Sequence, residues 1–187
     1  MPLPGSTDGL LCGQCLQKAP PFDVTYALYL YEAPITKLIL ALKFNQALVN
    51  ARVLGELLAT AALQSWYKTR SLPTVIIPVP LHPTRLKERG FNQSLEIARP
   101  LAKALKLPID TDHCKRNKVT APQSTLLAAE RRDNVKGAFT VSGHFAGQHV
   151  AVIDDVITTG STVTEFCNVL KQHGAQTIDI WCCARVC

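Results

Sequence analysis

From Val150 to Thr162 the chain reads VAVIDDVITTGST. Its first four residues are continuously apolar and offer water no polar face. A strand of that kind is buried on both sides, which is the mark of a parallel sheet covered by helices. Two adjacent carboxylates, Asp154 and Asp155, follow where the strand is expected to end, and a turn of small and hydroxylated residues then leads straight into a helical stretch. Open α/β sheets bind their ligands at the C-terminal edge of the strands. In such a turn the small residues let backbone N–H groups converge on an anion. The helix N-terminus adds about half a positive charge, and the hydroxyls of Thr158, Thr159, Ser161 and Thr162 add donors. With Gly160 this makes a phosphate cradle that contains no lysine. The two carboxylates would repel a phosphate, so they need another task. They suit vicinal sugar hydroxyls, or a magnesium ion held partly through its waters. A phosphate at one end and a diol a short distance away describe a ribose 5-phosphate.

The rest of the chain alternates in the way such a sheet requires. Residues 24–31 (VTYALYLY) read as a strand, and Pro34 opens a helix with apolar positions 35, 38, 39 and 42 at helical spacing. A second long helix is expected from Ala47 to about Tyr67. Val75–Val79 is a short apolar strand, and Ser94–Leu105 an amphipathic helix with Ser94 as N-cap. Thr162–His173 is a helix closed by Gly174, and Thr177–Cys183 is a last strand. The predicted fold class is α/β, a mostly parallel sheet flanked by helices. Residues 1–22, rich in Gly, Pro and Ser, form an irregular stub ahead of one domain, 23–187.

Composition fits one such domain. Of 187 residues 47% are hydrophobic, enough for a real core, which excludes disorder as a description of the whole. Charged residues are 18% and aromatics 6%, which excludes a coiled coil or a charged tail protein. The net charge of +6 is unevenly placed: Lys68 to Arg132 holds thirteen Lys and Arg against five acids, and the remainder is slightly acidic. That places a candidate anion-binding edge in the middle third. Seven cysteines, no apolar leader in the first residues, and no apolar run of about 18 residues point to a reduced, cytoplasmic protein without a membrane span.

A second cluster follows the strand at Val75–Val79, PVPLHPTRLKERGFNQS from Pro78 to Ser94. A strand edge followed by Arg85, Lys87, Arg89 and Gly90 suits a pyrophosphate, because the cations neutralise its charge and the glycine allows close backbone approach.

At Val150–Thr162 the sequence resembles the 5-phosphoribosyl-1-pyrophosphate (PRPP) motif of type I phosphoribosyltransferases. The PVPL, Arg85 and RGFNQS elements, LKF at Leu42–Phe44, and the stretch from Gln123 through Arg131-Arg132-Asp133-Asn134 to Phe139 narrow this to a resemblance to the ComF (competence protein F) family, with its relative GntX. The resemblance runs from about Cys12 to the C-terminus. It implies a type I phosphoribosyltransferase fold, Mg2+ as cofactor, and displacement of pyrophosphate from C1 by a nucleophile. Asp154 and Asp155 would contact the ribose hydroxyls directly or through magnesium, with Arg89 as the third catalytic candidate. Thr158, Thr159, Gly160, Ser161 and Thr162 would hold the 5-phosphate, with Arg85, Gly90 and Gln93 as further phosphate-binding candidates. The resemblance also implies a role in natural transformation, with imported single-stranded DNA as a ligand and a competence helicase as a partner.

Residues 115–136 occupy the place of a hood over the active site, and Lys115, Arg116, Lys118, Gln123, Arg131 and Arg132 are candidates there for phosphate or nucleic-acid contact. Cys12 and Cys15 are half of a zinc site; family members carry two such pairs as a zinc ribbon. The C-terminal cysteines read as packing residues, and the histidines lack metal-ligand spacing. Three functions stay open: an active phosphoribosyltransferase, a single-stranded DNA-binding protein, and a PRPP or nucleotide sensor without turnover. Phe91 is the sole aromatic between residues 68 and 132, which favours contacts to a nucleic-acid backbone over base stacking.

Overall fold

The structure is a computed structural model that describes residues 19–118 and 135–186. Cys12 and Cys15 of the expected zinc site, and Gln123, Arg131 and Arg132 of the expected hood, lie outside the described residues.

Four strands form one parallel sheet: β1 (Val24–Leu30), β2 (Val75–Pro78), β5 (His149–Ile157) and β6 (Thr177–Arg185), in the order β1-β6-β5-β2. The long strands β5 and β6 are central and buried along most of their length, and the short edge strand β2 is buried throughout. Side chains alternate between two cores. Val150 and Val152 of β5, with Ile178 and Ile180 of β6, pack on one face against α5 (Ser161–Gln172) through Val163, Phe166 and Leu170. Ala151 and Ile153, with Trp181, face the other way. There they meet α1 (Ile35–Asn45), α2 (Leu48–Ala61) and α4 (Gln93–Leu105) through Ile39, Leu42, Leu54, Leu58, Ile97 and Leu101. Those six side chains are fully buried, and each contributes about 1.5–3 kcal/mol. Phe22 is already part of the core, and Asp23 N–H bonds Ile178 O at 2.8 Å. Among the described residues no helix is long and apolar enough to cross a membrane.

Several boundaries differ from expectation for physical reasons. The second helix ends at Ala61 and passes into a π-helical turn, Ala62–Trp66, which stacks Trp66 on Tyr26 with ring centroids 4.7 Å apart. Helix α4 starts at Gln93, and its N-cap is Asn92 rather than Ser94: the Asn92 side chain accepts from Ser94 N–H at 3.0 Å. The basic stretch after β2 forms a short helix, α3 (Pro83–Arg89), with Pro at its first position and His82 capping it. Part of the polar stretch 112–137 is regular too. There β3 (Cys114–Arg116) pairs antiparallel with β4 (Phe139–Val141), and Phe139 meets Phe166 of α5 with centroids 4.9 Å apart. Helix α5 begins at Ser161, and His173 is its C-cap, with Gly174 next at φ +95°.

Candidate functional site

The site is built at the C-terminal edge of the sheet. Strand β5 continues through the acids to Ile157, so Asp154 and Asp155 lie inside the strand rather than after it, and Asp154 pairs in register with Cys182. From there the chain turns into α5. Gly160 is the N-cap, with φ +76°, a conformation that side chains with a Cβ resist. Ser161 N–H donates to Thr159 Oγ1 at 3.4 Å, the two hydroxyls lie 2.9 Å apart, and Thr164 N–H closes the first helical bond on Gly160 O at 2.9 Å. No acid occupies the first turn of α5. Within the helix itself, therefore, no carboxylate competes for its positive end. Asp154, Val156, Ile157, Thr158, Gly160, Thr162 and Val163 line a notch of about 30 Å3, room for one oxygen at the mouth of the turn.

The two acids have different neighbours. Asp155 is buried, and Lys43 Nζ of α1 forms an ion pair with its Oδ2. Its Oδ1 accepts from Gln93 Nε2 at 3.3 Å, and Gln93 Oε1 accepts in turn from Arg89. Asp154 Oδ1 accepts from Ser94 Oγ at 3.2 Å and from Asp155 N–H at 2.9 Å. Burial, and after it the neighbouring Asp155 charge, push the Asp154 carboxyl up to about 7, with Lys43 acting against them. Burial pulls the Lys43 ammonium down, yet its partner Asp155 more than offsets this and its pKa is raised. The pKa of Arg89 is lowered by burial.

The other sequence candidates fall in two groups. Arg85, Arg89 and Gly90 belong to α3 and its cap, on the strand edge beside the acids. Arg85 bridges Glu88 at 2.8 Å in an exposed pair that adds little to stability. Gln93 is buried and turned towards Asp155. In and after β3, Lys115 and Lys118 are exposed. Arg116 is partly buried, stands over the Phe139 ring at 5.4 Å, and is close enough to Asp154 for the two charges to interact. Cys114, Cys167, Cys182 and Cys183 are buried free thiols, which fits the packing role expected for the last two. Burial pushes the Cys114 thiol up to about 12.

No sequence motif gives Lys43 a role, and the sequence suggests Ser94 only as a cap. Lys43 carried a signal: it stands four residues after Ile39, on the buried stripe of its helix, where a charge needs a partner. A second polar group went unseen. Buried Asp179 accepts from Tyr67 Oη at 2.5 Å and lies 2.9 Å from His149 Nε2, while Trp181 Nε1 donates to Tyr67 Oη at 3.0 Å. It sits towards the N-terminal ends of β5 and β6, away from the acids. A larger cavity of about 660 Å3, lined by Thr74, Asp110, His113, His144 and Gln148 among others, opens at that same edge and touches none of the candidate site residues. Among the described residues no cluster of three or more His, Cys, Asp or Glu side chains is disposed to hold a metal.

Comparison with known proteins gives this geometry a family. The phosphoribosyl transferase domain matches residues 92–186, which include both acids and the whole turn. The chain is 40% identical over 184 residues to the DNA utilization protein YhgH of Escherichia coli O157:H7, across 98% of this chain and 81% of that protein. It is 36% identical over 178 residues to Competence protein F of Haemophilus influenzae, across 93% and 78%. Among solved structures, a purine phosphoribosyltransferase from Pyrococcus horikoshii Ot3 aligns at 18% identity and a TM-score of 0.39, over 83% of this chain and 75% of that one. The chain therefore belongs to the family of Competence protein F and DNA utilization protein YhgH, and its core is a phosphoribosyl transferase domain.

Proposed function

We propose that the chain binds PRPP with Mg2+ and transfers its ribose 5-phosphate in the service of DNA uptake or utilization. The observation that carries this reading is the join of β5 to α5: an acid lining a notch beside a Gly160-capped turn, at the C-terminal edge of a central parallel strand. The turn and the start of α5 receive the 5-phosphate. Arg85, Arg89 and the end of α3 face the pyrophosphate, whose departure from C1 leaves an oxocarbenium-like centre for the incoming nucleophile. The chain contributes position and charge rather than covalent chemistry. The Asp154 carboxylate and the Thr158 and Thr162 hydroxyls are hard oxygen donors of the kind Mg2+ accepts while keeping several waters. The metal would neutralise the departing pyrophosphate.

Calorimetry with MgPRPP tests the binding step, and Asp154→Asn is expected to remove the signal. A flat titration of the unaltered protein overturns the reading. A pyrophosphate-release screen against bases, nucleotides and single-stranded DNA then separates transfer from sensing. A second reading, direct binding of single-stranded DNA, is favoured by the exposed Lys87, Lys115 and Lys118 in the basic segment and by the names of the two relatives. Both readings can hold together, with the DNA supplying the acceptor.

A further inference from the structure

Two adjacent carboxylates in this motif invite one shared task, but their surroundings differ. Up to Ile153, even-numbered residues of β5 pack towards α5 and odd-numbered ones towards α1, α2 and α4. Asp154 lines the notch with Thr158, Gly160 and Thr162 while its Oδ1 accepts from Ser94 Oγ of α4. Asp155 keeps the odd side. Its side chain is 4% exposed, and both oxygens are committed within the protein, Oδ2 to Lys43 and Oδ1 to Gln93. A carboxylate so enclosed has no free edge for a sugar diol. Its main-chain N–H still reaches the neighbour, donating to Asp154 Oδ1 at 2.9 Å.

We propose that Lys43 and Asp155 form a positioning pair, and that Asp154 is the one acid of the two that meets the ribose hydroxyls. This rests on the PRPP reading of the same site. Lys43 pins the Asp155 side chain, Asp155 fixes its own peptide unit, and that peptide N–H aims the Asp154 carboxylate. Gln93 holds the other Asp155 oxygen and carries the arrangement to Arg89 on the pyrophosphate side. Lys43 therefore acts on the ligand through Asp155 without touching it.

A double-mutant cycle read by two methods tests the pair. Lys43→Met, Asp155→Asn, their combination and Asp154→Asn are each melted and then titrated with MgPRPP well below their unfolding temperatures. Each single change at the pair is expected to weaken MgPRPP binding by about tenfold or more, because it strands one buried partner. The combination removes both charges and is expected to recover most of the lost affinity and stability, while Asp154→Asn stays folded and does not bind. A double variant that folds but does not bind MgPRPP overturns the proposal, since the Asp155 carboxylate is then needed for itself. Should the double variant not fold, Asp154→Asn and Asp155→Asn decide. The proposal requires the first to lose at least about tenfold more affinity than the second, and equal losses overturn it. If the unaltered protein does not bind MgPRPP, the PRPP reading falls, and the melting cycle alone judges the pair. Strictly additive losses of stability would then refute it.

Discussion

In the ligand-free chain at pH 8, the Asp154 carboxylate is ionised in a buried setting beside a second carboxylate. Its pKa is pushed from 3.8 to about 7, so between those values the folded chain holds a proton that the unfolded chain releases. The stability this contributes is complete below about pH 4 and is lost as the pH rises through about 7. Asp154→Asn removes the charge and keeps the shape. The variant is expected to melt about 2–4 °C above the parent at pH 8. The gap should close towards pH 5, and MgPRPP binding should vanish at both. Scanning calorimetry at the two pH values checks this, and a variant that melts lower at pH 8 contradicts it. The same residue shows how far the sequence can be read. Both acids and the turn that follows are legible because the chemistry demands those residue types side by side. For Lys43 the sequence shows only a charge on a buried stripe; its partner is settled once α1 lies across the end of β5.

Between β2 and α4 a single residue joins two elements. Asn92 caps α4 through its Oδ1, and its Nδ2 donates to Val79 O at 3.1 Å, tying the helix start to the end of β2. Asn92→Ala is expected to cost about 1–2 kcal/mol in urea unfolding. It should also weaken MgPRPP binding, because the next two residues hold the acids. A full stability loss with unchanged affinity would separate the cap from the site. Deeper in the same layer, Gly55 of α2 sits against α4: a Cβ there would run into Ile97 O and stand 2.5 Å from Pro100 Cγ. Backbone cannot retreat as a flexible side chain can, so Gly55→Ala should cost about 1–3 kcal/mol. A melting temperature within a degree or so of the parent's would refute that close approach. The four strands of the parallel sheet and the long helices are readable from apolar pattern, whereas β3 and β4 are not. Nor is helix α3, because it buries none of its residues and so leaves no apolar stripe. Ser94 and Asn92 both suit an N-cap by residue type, and only the fold shows that Asn92 takes that place while the serine hydroxyl donates to Asp154.

Across the whole molecule the two edges of the sheet differ in character. The C-terminal edge carries the acids, the turn and the cations of α3 and β3. The N-terminal edge carries Asp179, closed by Tyr67 and His149, with Arg70 at 3.6 Å and standing over the Tyr67 ring. No local pattern announces that second group, since residues 67, 149 and 179 meet only when β5 and β6 pair and the π-helical turn folds over them. The uneven charge, by contrast, is visible in the sequence, and the fold gives part of it a place on the rim beside the acids. That rim makes a quantitative demand if single-stranded DNA is a ligand. Each phosphate neutralised by a lysine steepens the fall of log affinity against log salt by about 0.7 for a single strand. Lys115 and Lys118 are exposed. Replacing both with Ala should reduce the slope by about 1.4 and weaken binding at low salt, irrespective of base sequence. MgPRPP affinity should stay unaltered. Titrations of fluorescent single strands of differing sequence at several salt concentrations read both quantities. A slope that survives the double substitution would move the DNA path off this rim. A matching loss of MgPRPP affinity would place these lysines in the ribose-phosphate site itself.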